Sequence, residues 1–187
     1  MDVVERYLSE AEEAIRGIDR AAARAVVEAL FEAWQGDRQI FIIGNGGSAS
    51  TASHMMNDLG KFTRCETKPR IRAIALTDNV PLLTAYANDQ SYADVFVEPL
   101  RMLMRDGDVL VAISGSGNSP NVVRAAEYVR GRGNTVIGLC GSPGGRLAEL
   151  AAIRVIVPAS HIGHQEDGHL VLNHAFATAL RERIASA

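Results

Sequence analysis

Two turns rich in serine and glycine hold the residue types best suited to chemistry. One is Ile113-Ser114-Gly115-Ser116-Gly117-Asn118-Ser119-Pro120, straight after the apolar run Val109 to Ile113. An apolar run this short, ending in a turn, reads as a buried parallel strand. Ser114, Ser116 and Ser119 each offer a hydroxyl, and a helix beginning near Asn121 would aim free N–H groups and its positive dipole end into the turn. That is an anion site without Lys or Arg, suited to a phosphate that is bound and then released. Taken alone, such a turn is as readily an ordinary strand-to-helix loop. A second copy of the design comes earlier, where Ile40 to Ile43 runs into Gly44-Asn45-Gly46-Gly47-Ser48-Ala49-Ser50. Neither turn is a P-loop, since no Gly-Lys-Ser/Thr follows, and neither fits the dinucleotide fingerprint. Two such turns at the carboxyl ends of strands point to one small phosphorylated ligand at a switch point of an α/β sheet.

Beyond the first turn, His54 and Asp58 stand four apart and share one helix face. A carboxylate near an imidazole is the minimum for moving a proton between two carbons and another between their oxygens. A solvated helix carboxylate is the ordinary alternative for Asp58 taken alone. Lys61, Arg64 and Lys68 follow, and are expected on the surface or at the rim of the pocket.

The elements that must position these groups follow from apolar spacing. Residues 2 to 34 read as helix, with Gly17 a possible interruption. Then strands near 39–43, 71–76, 108–113, 134–139 and 153–157 alternate with helices near 48–60, 80–88, 92–104, 120–131, 145–150 and 162–185. That alternation predicts an α/β three-layer sandwich, a five-stranded parallel sheet with helices on both faces. The chain reads as a single domain, 1–187, in which residues 1 to 36 form an N-terminal helical segment. Its apolar residues lie on more than one stripe, which suggests a subunit interface.

Composition narrows the class. Hydrophobic residues make up 47% and charged residues 22%, as in an ordinary globular chain. A net charge of −3 with no basic stripe gives no case for nucleic acid. No apolar run approaches the ~20 residues that span a bilayer. The charged start Met1-Asp2-Val3-Val4-Glu5-Arg6 lacks a signal-peptide core, and Cys65 and Cys140 form no CxxC, so a reducing cytoplasm is expected.

Both turns, with Ala73-Ile74-Ala75-Leu76-Thr77-Asp78, Asn88-Asp89 and Gly107 to Ser114, resemble the sugar isomerase (SIS) domain family, and within it the phosphoheptose isomerase branch. The resemblance runs in order along nearly the whole chain. It implies conversion of sedoheptulose 7-phosphate to D-glycero-D-manno-heptose 7-phosphate through an enediol. It further implies that Ser48, Ser114, Ser116 and Ser119, with Gly46, Gly47 and Gly115 beside them, hold the phosphate, and that Asn45 and Asp78 contact sugar hydroxyls. On the closing helix, aligning on Glu166 to Leu170 puts Glu166 on a family Gln and His174 on a family His, positions 166, 170 and 174 sharing one face; the register shifted by one, Gln165 with Asn173, loses the histidine and is rejected. Asp58 is then the base and His174 the acid. His54, Asp58, Glu166 and His174 form a metal set suited to zinc, which hydrogen bonds alone could equally explain. His169 lies about 140° around from His174 at 3.6 residues per turn and is expected on a surface or interface, while His161 and His164 start the helix beside the mouth. The family implies a homotetramer with sites built from two subunits, in which Asp58 and His174 could belong to different chains.

Three positions depart from the family pattern. Asp58 replaces Glu and is shorter by a methylene, Glu166 replaces Gln and adds a charge, and Gly115 replaces Thr and removes a hydroxyl. Two other readings stay open: a non-catalytic phosphosugar-binding or protein-binding module, and an isomerase for another phosphosugar.

Overall fold

The computed structural model describes all residues 1–187. Five strands form one parallel sheet in the order β2-β1-β3-β4-β5: β1 (Gln39–Gly44), β2 (Arg72–Ala75), β3 (Val109–Ser114), β4 (Thr135–Gly141) and β5 (Ile153–Val157). The order reverses between β1 and β3, whose carboxyl ends carry the two serine–glycine turns.

Side chains alternate across the sheet. Ile40, Ile42, Val111, Ile113 and Val155 face one core, covered by α1 (Val3–Arg16), α2 (Arg20–Gln35), α3 (Gly47–Asn57) and α8 (Ile162–Ser186). Phe41, Ile43, Leu110, Ala112 and Val136 face a second core, covered by α4 (Val80–Asp89), α5 (Val97–Leu103), α6 (Pro120–Gly131) and α7 (Gly145–Leu150). The three-layer architecture expected from the alternation is the one observed.

Gly17 does interrupt the first helical run: it ends α1, and the Asp19 side chain caps α2 by accepting from the Ala21 and Ala22 N–H groups. Two elements differ in detail. The stretch expected as one helix over 92–104 is a 3-10 turn, Tyr92–Asp94, followed by α5. The helix after the first turn leaves α geometry at its end and widens into a π-turn, Asp58–Phe62. The candidate base is the first residue of that turn. Cys140 is buried on β4, which pushes its thiol up to about 12 and leaves it inert.

Candidate active site

The turns meet. A cavity of about 170 Å³ is lined by Asn45, Ser48, Ile113, Ser114, Gly115, Ser116, Ser119, Ile162 and Glu166. No Lys or Arg lines it, and Lys61 and Arg64 stand exposed elsewhere. Neither α3 nor α6 is capped by the side chain of its N-cap residue. The N–H groups of Gly47, Ser48 and Asn121 remain available to an anion, whereas those of Ala49 and Val122 are taken by Gly46 O and Asn121 Oδ1 and Pro120 has none. The Ser114 hydroxyl accepts from Gly117 N at 3.1 Å, and the Ser116 hydroxyl from Asn118 N at 3.2 Å. Each hydroxyl thus uses a lone pair within the turn and keeps its proton for a ligand. Gly117 has φ +65°, and a Cβ there would fall 1.9 Å from the Gly144 carbonyl oxygen, so glycine is required. A Cβ on Gly115 would lie 2.6 Å from both Gln165 Oε1 and Ile162 Cδ1. The ends of these two α8 side chains cover the turn where the family Thr would stand, and would have to swing aside for it.

Asn45 and Asn121 form a reciprocal amide pair, at 2.9 and 2.8 Å, tying the first turn to α6. Tyr92 donates its hydroxyl proton to Asn45 Oδ1 at 3.0 Å. Asp78, past the end of β2, accepts from Ser53 Oγ on α3. Asn121, Tyr92 and Ser53 escape sequence reasoning because their partners are distant along the chain.

A second group lies further along α3 and α8, which pack side by side. His54 Nε2 is 3.3 Å from Asp58 Oδ2 and 3.2 Å from His174 Nε2, and His174 Nε2 is 3.9 Å from Asp58 Oδ2. One ligand atom from each of these three residues falls within 4.8 Å of the others. Asp58 and His174 come together within a single chain, which corrects the expectation that they could belong to different subunits.

Glu166 is not in this group. It stands eight residues before His174, about 12 Å along the axis at 1.5 Å per residue, and its carboxylate lies directly over Gly47, where a Cβ would meet it at 2.3 Å. Of the four expected metal ligands, three are together and the fourth lines the phosphate-turn cavity.

Two of the remaining histidines, His169 and His164, differ from expectation, while His161 stands at the helix start. His169 is fully buried, leaning on the Cys140 backbone without a well-formed hydrogen bond, and burial pushes its pKa below the ordinary value. His164 is buried against Tyr7, with ring centroids 4.2 Å apart, rather than at the mouth. His161 caps α8 by accepting from Gly163 N.

A wider cleft of about 420 Å³ opens at the opposite pole of the sheet, beside Arg38 and Arg72. Those arginines are held by Asp106 O and Asp37, and none of the expected site residues lies there.

The SIS domain model matches residues 2–141. The phosphoheptose isomerase of Mycobacterium tuberculosis (strain ATCC 25177 / H37Ra) is 40% identical over 156 residues, 83% of this chain and 79% of that protein. That of Aneurinibacillus thermoaerophilus is 32% identical over 184 residues, 98% of this chain and 89% of that protein. The structure of the Neisseria gonorrhoeae phosphoheptose isomerase superposes with a TM-score of 0.87 at 31% identity, covering 95% of this chain and 96% of that one. With the parallel sheet, the paired turns and likeness over most of the chain, the protein belongs to the SIS-domain family, in its phosphoheptose isomerase branch.

Proposed function

We propose that the chain is a phosphosugar aldose–ketose isomerase that converts sedoheptulose 7-phosphate to D-glycero-D-manno-heptose 7-phosphate. The observation that supports it most is that α3 and α8, which line the cation-free turn cavity with Ser48, Ile162 and Glu166, lead on to the His/Asp/His group. Along α3, Ser48 and His54 are separated by about 9 Å, and along α8, Glu166 and His174 by about 12 Å. That is the reach of an extended seven-carbon chain from its phosphate to its carbonyl end.

In this reading the turn serines and the N-termini of α3 and α6 hold the phosphate. Asn45, Asp78 and Glu166 meet the sugar hydroxyls. Asp58 takes the carbon-bound proton, and His174 donates to and accepts from the two oxygens as the enediol forms and collapses. The half-buried Asp58 carboxylate, with only 13% of its side chain exposed, is kept from bulk water, while the histidines stay open to substrate.

The donor set fits zinc: two imidazoles and a carboxylate with ligand atoms inside 4.8 Å suit a site with an open position. His54 Nε2, Asp58 Oδ2 and His174 Nε2 would hold the ion, which when bound would supply Lewis-acid polarisation of the substrate carbonyl. The proton role of His174 belongs to the site without the ion, and Asp58 Oδ1 remains the base in either. We further propose a cytoplasmic homotetramer. Support comes from Val3, Val4 and Leu8 exposed on α1, and from a groove beside Ile15, Val27, Val171 and Phe176. Sedimentation checks the assembly, and incubation with sedoheptulose 7-phosphate followed by product detection checks the reaction. The Glu166 carboxylate in the cavity favours, as a second reading, a phosphosugar with another hydroxyl pattern.

A further inference from the structure

We propose that Asn173 is the positioning residue for Asp58, a role that rests on the isomerase reading of the site. Asn173 is fully buried on α8, one residue before His174. Its Nδ2 donates to Asp58 Oδ2 at 2.9 Å. Its own Oδ1 is buried with no hydrogen-bond partner. A buried amide with an orphaned carbonyl is a standing cost that an apolar side chain of the same shape would avoid. Packing therefore does not account for an amide here, whereas a task at Asp58 does.

The task is set by the π-turn. Asp58 is the residue at which the helix leaves its α geometry, a distortion frequent at functional sites. Asn173 approaches from the other helix and fixes which oxygen faces which way. Oδ2 is turned inward, to Asn173 at 2.9 Å, His54 at 3.3 Å and His174 at 3.9 Å. Oδ1 has only the exposed Asn57 Nδ2 near it, at 3.3 Å. One oxygen is thus committed to the protein and the other is left for the substrate proton. The amide cannot turn over, because its carbonyl would then face the carboxylate. The arrangement also suits the shorter acid: with Oδ2 already in contact, an extra methylene would push the carboxylate into Asn173 or His54.

The test is Asn173→Leu, close to Asn in shape, with Asn173→Ser as a smaller second variant that cannot reach Asp58. In both, kcat on sedoheptulose 7-phosphate should fall about 10- to 100-fold, the usual loss when a group orienting a site residue is removed. KM should stay within about threefold, since the phosphate turn is untouched. The Leu variant should melt at the wild-type temperature or above it, and its crystal structure should show the Asp58 carboxylate rotated away from His54. Wild-type kcat in both variants, or an unmoved carboxylate in the Leu variant, would overturn the assignment. If the wild-type protein does not isomerise this sugar, the isomerase reading fails separately, and the carboxylate position in the Leu structure alone decides the claim.

Discussion

Replacing Ser114 by Ala separates the ligand role of the phosphate turn from its structural role. The Ser114 hydroxyl is buried and accepts from Gly117 N at 3.1 Å, but the same N–H also reaches the Ser114 carbonyl oxygen at 3.1 Å. Removing the hydroxyl therefore leaves the turn closed, and what is lost is the proton offered to the phosphate. A hydrogen bond to a charged group contributes about 1.5–3 kcal/mol, a drop of roughly 10- to 150-fold in affinity at 1.4 kcal/mol per decade. Ser116 is exposed, so water replaces much of its contribution, and Ser116→Ala should cost only about 1 kcal/mol, near fivefold. Calorimetric titration with sedoheptulose 7-phosphate, alongside thermal melts, reads both quantities. Affinity should fall in the order wild type, Ser116→Ala, Ser114→Ala, double variant, with melting temperatures close together. A double variant that binds as tightly as wild type would refute the phosphate assignment. One that melts far lower would show that the hydroxyls hold the turn instead.

Four other outcomes are expected. Asp58→Glu, although it restores the family residue, should lower kcat, because Oδ2 already sits 2.9 Å from Asn173 and 3.3 Å from His54; a higher kcat would contradict this geometry. Gly115→Thr should cost about 1 kcal/mol, the low end of overpacking, since its Cβ would meet only the ends of the Gln165 and Ile162 side chains; a denaturant melt reads it, and a loss several times larger would show that α8 cannot yield there. Glu166→Gln should strengthen inorganic phosphate binding about two- to fivefold by removing a partly screened like charge, as measured by calorimetry. His169, whose pKa is depressed by burial, is neutral in the fold and gains a proton more readily when unfolded. Its contribution to stability is complete above about 6.5 and is lost as pH falls below that value, so His169→Leu should flatten the decline in melting temperature on acidification.

The turns were legible in sequence because their signal is local: an apolar strand, then glycine and serine, then a helix start. The sheet was legible for the same reason, from five apolar runs separated by amphipathic stretches. What escaped was set by contacts between distant segments. Helical spacing placed Glu166 and His174 on one face, yet the same spacing sets them about 12 Å apart, and the glycine at 47 lets the Glu166 carboxylate settle at the turn instead. Spacing also gave the angle between His169 and His174 without saying what covers each side, and α8 is buried on more than one face. The π-turn at Asp58 had no local marker at all. The register rejected on the closing helix for lack of a histidine, Gln165 with Asn173, is the one whose two residues the structure buries on α8, with Asn173 reaching Asp58, while Glu166 is half-buried and His174 exposed. Spacing alone does not tell a polar pair on a core face from one on the surface.

The central claim, enediol isomerisation by Asp58 and His174, is tested most directly by following sedoheptulose 7-phosphate in deuterated water by NMR with wild type, Asp58→Ala and His174→Ala. The wild-type protein should form D-glycero-D-manno-heptose 7-phosphate carrying solvent deuterium at C2. Each variant should bind the phosphosugar yet convert it about 10²- to 10⁴-fold more slowly, the usual share of a general acid or base. No conversion by the wild-type protein, or conversion at the wild-type rate in either variant, would contradict the account.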